Sequence, residues 1–317
     1  QSMTNALATA EAVVKVARES PKPVICCFMG VVDVSRGVQY LQEQGYPVFR
    51  FPENAAKAFG VLYRFSRWIN RQHLAEFSLN GDKKEADRII RECLDQGKTG
   101  LGELDGLRLL KCYGFDVLPT ELATSAEEAG GLAEEMGFPV VMKIVSPQIL
   151  HKSDAGGVVV GIGDRQEAEQ SFEIIMTKAR DYDSQARLDG VLVQKMADSG
   201  QEVILGLNRY PTFGPLLMFG LGGIFVEVFK DVAFRLAPVG RNEARRMVRG
   251  IQGYKMLTGF RGRDKADIET IEKLLVSLSN MAESHPQIQE MDINPLMIHA
   301  QGQGATVADC RIILEEV

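Results

Sequence analysis

"FPVVMKIVSPQILHKSDAGGVVVG", residues 138–161, decides how the rest of this chain is read. It parses as strand, polar turn, strand. "VVMKIV" is a short apolar run holding one lysine, and "VVVGI" is a second run that follows two adjacent glycines. Alternate residues of a strand share a face, so Lys143 points with Val141 and Val145. A lysine in such a strand ordinarily snorkels to solvent. Here the strand runs within a few residues into "HKSDAGG", where His151, Lys152, Ser153 and Asp154 precede Gly156 and Gly157. Glycines let main-chain N–H groups approach an anion, and a lysine beside them makes a phosphate site. The same glycine pair would also serve as a plain hairpin turn.

Outward from that stretch the chain alternates strands and helices. "TSAEEAGGLAEEMG" opens with a capping box, Ser125 and Glu128, and closes at Gly137. After "VVVGI" a helix starts at Asp164, with Glu167 completing a second box. "GVLVQKM", "QEVILGL" and part of "GPLLMFGLGGIFVEVFKDVAFRLAP" read as strands, and two helices fill residues 242–283. Upstream, Leu101, Leu104, Leu107 and Leu110 mark a helix. Residues 80–100 are polar and charged, and read as a linker plus a solvated helix. Residues 3–77 give helix, strand "PVICCFMG", helix ending at Gly45, strand "YPVFRF", and a helix with Pro52 in its first turn. Two strands are few for a free-standing sheet, so the chain is expected to begin inside a domain.

The closing segment, "IQEMDINPLMIH" then "TVADCRIIL", is expected to form a hairpin. Glu290, Asp292 and Asn294 alternate, so they face one side while Met291 and Ile293 face the other. Asp309 in the returning strand could come beside Asp292 and Asn294. Two carboxylates and an amide oxygen on one sheet face pack poorly and suit a hard cation. A solvated sheet face is the plainer alternative. Between two apolar strands, residues 194–199 could offer backbone groups to a flat base, with Glu202 reaching a sugar hydroxyl, although any hairpin would look the same. Gly220, Gly222 and Gly223 do not match a dinucleotide fingerprint opening a helix.

The 317 residues carry a net charge of −6 and a pI near 5.5, which argues against non-specific nucleic-acid binding. The five cysteines form no CxxC and no Cys/His metal pattern, and the most apolar stretch, residues 213–228, is too short and interrupted to span a bilayer. A reduced, cytoplasmic protein is expected, with no membrane partner.

Taken as an ordered set, "VVMKI", "HKSDAGGV", "VLVQKM", "QEVILG", "FGPLLMFGLGGIFVEV", "EMDINPL" and "ADCRI" resemble the ATP-grasp portion of ADP-forming acyl-CoA synthetases, relatives of succinyl-CoA synthetase. The resemblance implies an α/β chain: the end of a flavodoxin-like ligase-CoA domain at 3–77, a linker at 78–100, and a two-lobed ATP-grasp domain of α+β type at 101–317. It implies phosphate transfer between a phosphohistidine and ADP or ATP with Mg²⁺, CoA being a substrate of the complete enzyme. His151 then resembles the second phosphohistidine. Lys143, with Lys152, Ser153, Gly156 and Gly157, would hold phosphates. Gln194, Met196 and Ala197 would form the adenine hinge, and Glu202 the ribose contact. Asp292, Asn294 and Asp309 would hold Mg²⁺. A carrier must visit two sites, so residues 149–157 are expected to move, with Pro147 and Gly156-Gly157 as hinges. The CoA-binding domain and first phosphohistidine segment are expected upstream of residue 1, as a partner half within an oligomer. A different class also fits: a non-catalytic, ligand-sensing module of a protein acetyltransferase.

Overall fold

The computed structural model describes residues 5–29, 33–70, 81–149, 152–223, 230–262 and 264–315. The chain divides into two compact units, Gln1–His73 and Leu74–Val317.

In the first unit, α1 (Ala6–Glu19), β1 (Cys26–Cys27), α2 (Ser35–Glu43), β2 (Val48–Phe49) and α3 (Pro52–Ile69) follow the order read from the sequence. Asn5 caps α1 by accepting from the Ala8 N–H at 3.1 Å. Gly45, at φ 81°, ends α2, and Pro52 opens α3. β1 and β2 pair in parallel over two residues each. Their core is small: Ala10, Val14, Cys26 and Leu41. α3 buries no residue at all, and Leu62, Tyr63, Phe65 and Trp68 are each more than half exposed.

The second unit has two sheets with separate cores. The smaller sheet is four-stranded, in the order β5 (Thr120–Ala123), β8 (Gly190–Lys195), β6 (Val140–Val145), β7 (Val158–Ile162). α6 (Ala126–Met136) and α7 (Arg165–Tyr182) cover it, and both start at the boxes expected. Ser125 and Asp164 accept from the N–H of Glu128 and Glu167. Each glutamate reaches back one residue further than a strict box, to the N–H of Thr124 and Gly163.

The larger sheet runs β11 (Val232–Leu236), β10 (Gly214–Leu221), β9 (Gln201–Tyr210), β12 (Ile288–Ile298), β13 (Ala305–Val307), β4 (Asp116–Val117). β14 (Cys310–Leu314) also pairs with β12, and with β3 (Gly100–Leu101). Its core includes residues of α5 (Glu103–Cys112), α8 (Arg241–Gly250) and α10 (Ile268–Ser284), along with Leu257 of the short α9 (Tyr254–Leu257).

One reading is corrected here. α4 (Lys83–Asp95) is no solvated linker helix, since Ala86, Ile90 and Cys93 join the larger core and Ile89 is buried too. These positions follow the i, i+3, i+4, i+7 pattern of an amphipathic stripe. Five apolar residues among eight charged ones, four of them buried and Leu94 packed beside them, were enough to bury one face. Among the described residues, no helix is long and apolar enough to cross a membrane.

Candidate functional site

The two sheets of the second unit meet at a cluster of four charged side chains. Lys143 lies in β6 opposite Leu192 and Val158 and is only 7% exposed. Its ammonium donates to Glu103 Oε1 at 2.7 Å and to the Ala308 carbonyl at 3.0 Å, and lies 3.7 Å from Asp309 Oδ2. Lys152 donates to the other oxygen of Glu103. Glu103 is the first residue of α5, after the N-cap Gly102, and its side chain is 5% exposed. Groups from the small sheet and its loop therefore converge on groups beside the large sheet.

Burial dominates the electrostatics of this cluster. It pushes the Glu103 carboxyl upward, but the two ammonium groups outweigh it and hold the acid below its ordinary range. Burial pulls Lys152 down, and the Glu103 and Asp309 charges more than reverse that pull, leaving it raised. Asp309 ends above the usual carboxylate range, through burial and the nearby Glu103 charge, with the two lysines only partly compensating.

Asp292 and Asn294 alternate with buried Met291 and Ile293 along β12, as the pattern predicts. Asp292 is opposite Arg311 and Gly206, so Asp309 is not its direct strand neighbour. Asp309 instead occupies the break between β13 and β14, where its carbonyl accepts from the Asn294 N–H at 3.1 Å. Asp292 Oδ1 is buried and has no hydrogen-bond partner. Burial, then the charges of Glu290 and Asp309, hold its carboxyl above the ordinary value. Among the described residues no three His, Cys, Asp or Glu side chains form a ready metal cage. An orphaned carboxylate oxygen, a second raised carboxylate and an amide nonetheless fit Mg²⁺, which takes one or two carboxylates and leaves its other positions to phosphate and water.

The glycine loop differs from expectation. The Gly156 N–H donates to the Ser153 carbonyl at 3.0 Å and the Gly157 N–H to that of Lys152 at 2.8 Å. Both donors are spent inside the turn and are not turned toward a ligand. Gly157 is needed for packing: a Cβ there would lie 2.4 Å from Ile144 Cγ2. Ile149 and Ala155 are buried in the core of the small sheet. A segment swinging as one body over residues 149–157 is at odds with that anchoring. His151 lies outside the described residues.

On the far side of β8, Gln194 is 2% exposed and its amide donates to Thr120 Oγ1 at 2.9 Å. Its amide nitrogen is committed to that bond. The Met196 N–H is likewise taken, donating to the Pro139 carbonyl at 3.2 Å. Ala197 is half-buried just beyond the strand. Glu202 is exposed at the start of β9, and the adjacent chain at Gly222 approaches so closely that a Cβ would lie 2.8 Å from Glu202 Cβ. The structure thus brings Lys143, Lys152, Asp309 and the backbone of Asn294 together. It adds Glu103, which the sequence reading passed over because an acid in the first turn of a helix is an ordinary feature. Only its burial sets it apart.

Residues 92–314 match the family described as ATP-grasp domain. The chain is 41% identical over 296 residues to acetate–CoA ligase [ADP-forming] I of Archaeoglobus fulgidus, covering 93% of this chain and 43% of that protein. It is 45% identical over 234 residues to the beta subunit of acetate–CoA ligase [ADP-forming] II of Pyrococcus furiosus, covering 74% of this chain and 99% of that subunit. Among solved structures it resembles dinucleotide-forming acetyl-coenzyme A synthetase 1 of Ca. Korarchaeum cryptofilum, with a TM-score of 0.64 and 39% identity, over 73% of this chain and 100% of that one. That protein was solved with coenzyme A and Mg-AMPPCP, its phosphohistidine segment pointing towards the nucleotide-binding site. The chain therefore spans less than half the length of the longer relatives it matches and nearly all of the separate beta subunit.

Proposed function

This chain belongs to the ATP-grasp family, among the ADP-forming acyl-CoA synthetases, and we propose that it is the nucleotide-binding portion of such an enzyme. In this reading it transfers a phosphoryl group between a phosphohistidine, His151, and ADP or ATP. The observation that carries the reading is a charge layout: buried Lys143 and half-buried Lys152 held on one carboxylate, in the same unit as an acid, Asp292, whose buried oxygen has no partner.

In the direction of phosphohistidine formation, a neutral imidazole nitrogen of His151 attacks the γ-phosphorus of ATP. The N–P bond forms as the bond to the β,γ-bridging oxygen breaks, and ADP leaves with that electron pair. The reverse step rebuilds ATP. Such transfer is largely positioning and charge neutralisation. Lys143 and Lys152 supply fixed positive charge for the phosphate oxygens. Ser153 and the turn at Gly156 and Gly157 shape the loop that carries His151. The main chain of Gln194, Met196 and Ala197 borders the base, and Glu202 takes the ribose. Asp292, Asn294 and Asp309 would hold Mg²⁺, which when bound screens the phosphate charge.

The partner half, with CoA and a carboxylic acid as its substrates, is proposed to cover the first unit. The apolar side chains of α3 and the two-residue strands support this, because a two-stranded sheet is marginal alone. The same length difference from the fused relatives supports it. Five unpaired cysteines fit a cytoplasmic setting, and an assembly with the partner half follows from the same reading.

The test is labelling. With γ-³²P-ATP and Mg²⁺ the chain should acquire an acid-labile phosphate that His151→Ala lacks, and calorimetry should show ADP binding that needs Mg²⁺. Tight nucleotide binding with no label on the wild-type chain would favour a sensing module over a phosphoryl carrier.

A further inference from the structure

We propose that Glu103 is a positioning residue of the phosphate site: its two carboxylate oxygens hold the ammonium groups of Lys143 and Lys152 side by side, aimed for the phosphates of the nucleotide. The inference rests on the reading of the cleft given above and names a residue that reading did not require.

Lys143 reaches Glu103 Oε1 at 2.7 Å and Lys152 reaches the other oxygen, so one carboxylate splits its two acceptors between two ammonium groups. The side chains involved are 5% exposed for Glu103, 9% for Lys143 and 24% for Lys152. Two ammonium groups this close repel, and a carboxylate that bonds both holds them together. The neighbouring Asp309 adds negative charge without hydrogen-bonding either lysine. Asp309, at the break before β14, stands 3.7 Å from Lys143, beyond hydrogen-bond reach, with its side chain 36% exposed. The Cys310 thiol, from β14, is pushed far up by burial and stays neutral. Glu103 itself is braced by position. It starts α5, where the helix terminus favours a carboxylate. Gly106 sits so close to Cys310 that a Cβ would lie 2.8 Å from its Sγ, which fixes α5 against β14.

Both lysines come from the small sheet and its loop, whereas Glu103 and Asp309 come from beside the large sheet. The carboxylate therefore sets where the basic groups of one side stand relative to the acidic groups of the other. A nucleotide phosphate can add to the lysines without displacing Glu103, because each ammonium carries three donors.

The experiment separates charge from shape. Glu103→Gln keeps size and an acceptor oxygen but removes the charge, and Glu103→Asp keeps the charge on a shorter arm. The two lysines are followed by NMR of ¹³Cε-labelled chain without nucleotide at neutral pH, and Mg-ADP affinity is measured at the same pH. Wild type should show two sharp lysine signals set apart from those of the exposed lysines. In E103Q both should move toward the exposed-lysine position, since neither ammonium is held on a carboxylate. Mg-ADP should bind E103Q roughly 10-fold or more weaker. E103D should bind less tightly than wild type yet more tightly than E103Q. Unchanged lysine signals in E103Q, or an unchanged affinity, overturn the proposal. The lysine arm needs no nucleotide, so it stands or falls apart from whether the chain binds ADP. If E103Q does not fold, E103Q/K152M must fold, since the like-charge pair is gone, and failure of the double variant also overturns the proposal.

Discussion

The two sides of the cleft treat their charges in opposite ways. On the basic side, Lys143 and Lys152 each donate to Glu103, and Lys143 adds the Ala308 carbonyl. On the acidic side, Asp292 Oδ1 is buried with no partner, and both Asp292 and Asp309 are held above the ordinary carboxylate range. A buried polar atom without a partner costs on the order of 1–3 kcal/mol, and native chains keep few of them. The basic side is thus built to be ready before its ligand arrives. The acidic side is built to be completed by it.

The largest effect is expected from breaking the satisfied side. Lys143→Met keeps the length of the side chain and removes the charge. Glu103 would be left buried with Lys152 as its one remaining ammonium, and the Ala308 carbonyl would lose its donor. Removing one partner of a buried pair costs about 3–5 kcal/mol. Urea denaturation of K143M should show a loss near 3 kcal/mol, given the partial rescue by Lys152. A loss below about 1 kcal/mol would mean that this side is no more committed than the other. ADP affinity should fall alongside.

The opposite sign is expected on the other side. Asp292→Asn removes a charge that the metal-free fold does not satisfy. It should stabilise the chain by about 1 kcal/mol near neutral pH while weakening Mg-dependent nucleotide binding. The pH dependence follows from the direction of the shift. The folded Asp292 keeps its proton to a higher pH than the unfolded one, so its contribution falls as pH rises from the ordinary carboxylate range through the folded value. D292N should lack that part of the slope in metal-free buffer, as should wild type with Mg²⁺ bound. Thermal melts from pH 4 to 7 with and without Mg²⁺ measure it, and a destabilised D292N would show that the acid has a partner in solution.

This contrast also explains what could be read from the sequence. The acidic strand was legible because period-2 alternation in "EMDIN" assigns faces without any knowledge of neighbours. The helix starts at Ser125 and Asp164 were legible because a cap is made within four residues. Lys143 was legible as a candidate, but its burial was not, since that depends on Glu103, 40 residues away. Glu103 was passed over for the same reason. α4 reads as solvated because charge dominates its composition, and its five apolar positions matter only once a core lies against them. Gly157 looked like an anion-binding glycine and is held instead by the Ile144 side chain across the turn. Local chemistry was visible in every case, while long-range pairing was not.

The smallest effect should come from Glu290, the other acid on the same face of β12 as Asp292. Its charge helps to hold the Asp292 carboxyl up, yet it is not among the groups proposed to hold the cation. If the acidic side is a specific site, Glu290→Gln should relieve repulsion and leave the ligand set intact. Pairs of like charges near a surface are worth a few tenths of a kcal/mol. E290Q should therefore gain no more than about 0.5 kcal/mol in denaturation, and should bind Mg-ADP within roughly twofold of wild type. Titration of Asp292, followed by carboxyl ¹³C NMR, should move toward the ordinary carboxylate range. If E290Q instead weakens Mg-dependent binding as much as D292N does, the three acids act as a diffuse negative face. The division of the cleft into a finished side and an unfinished one would then have to be redrawn with Glu290 among the groups awaiting the cation.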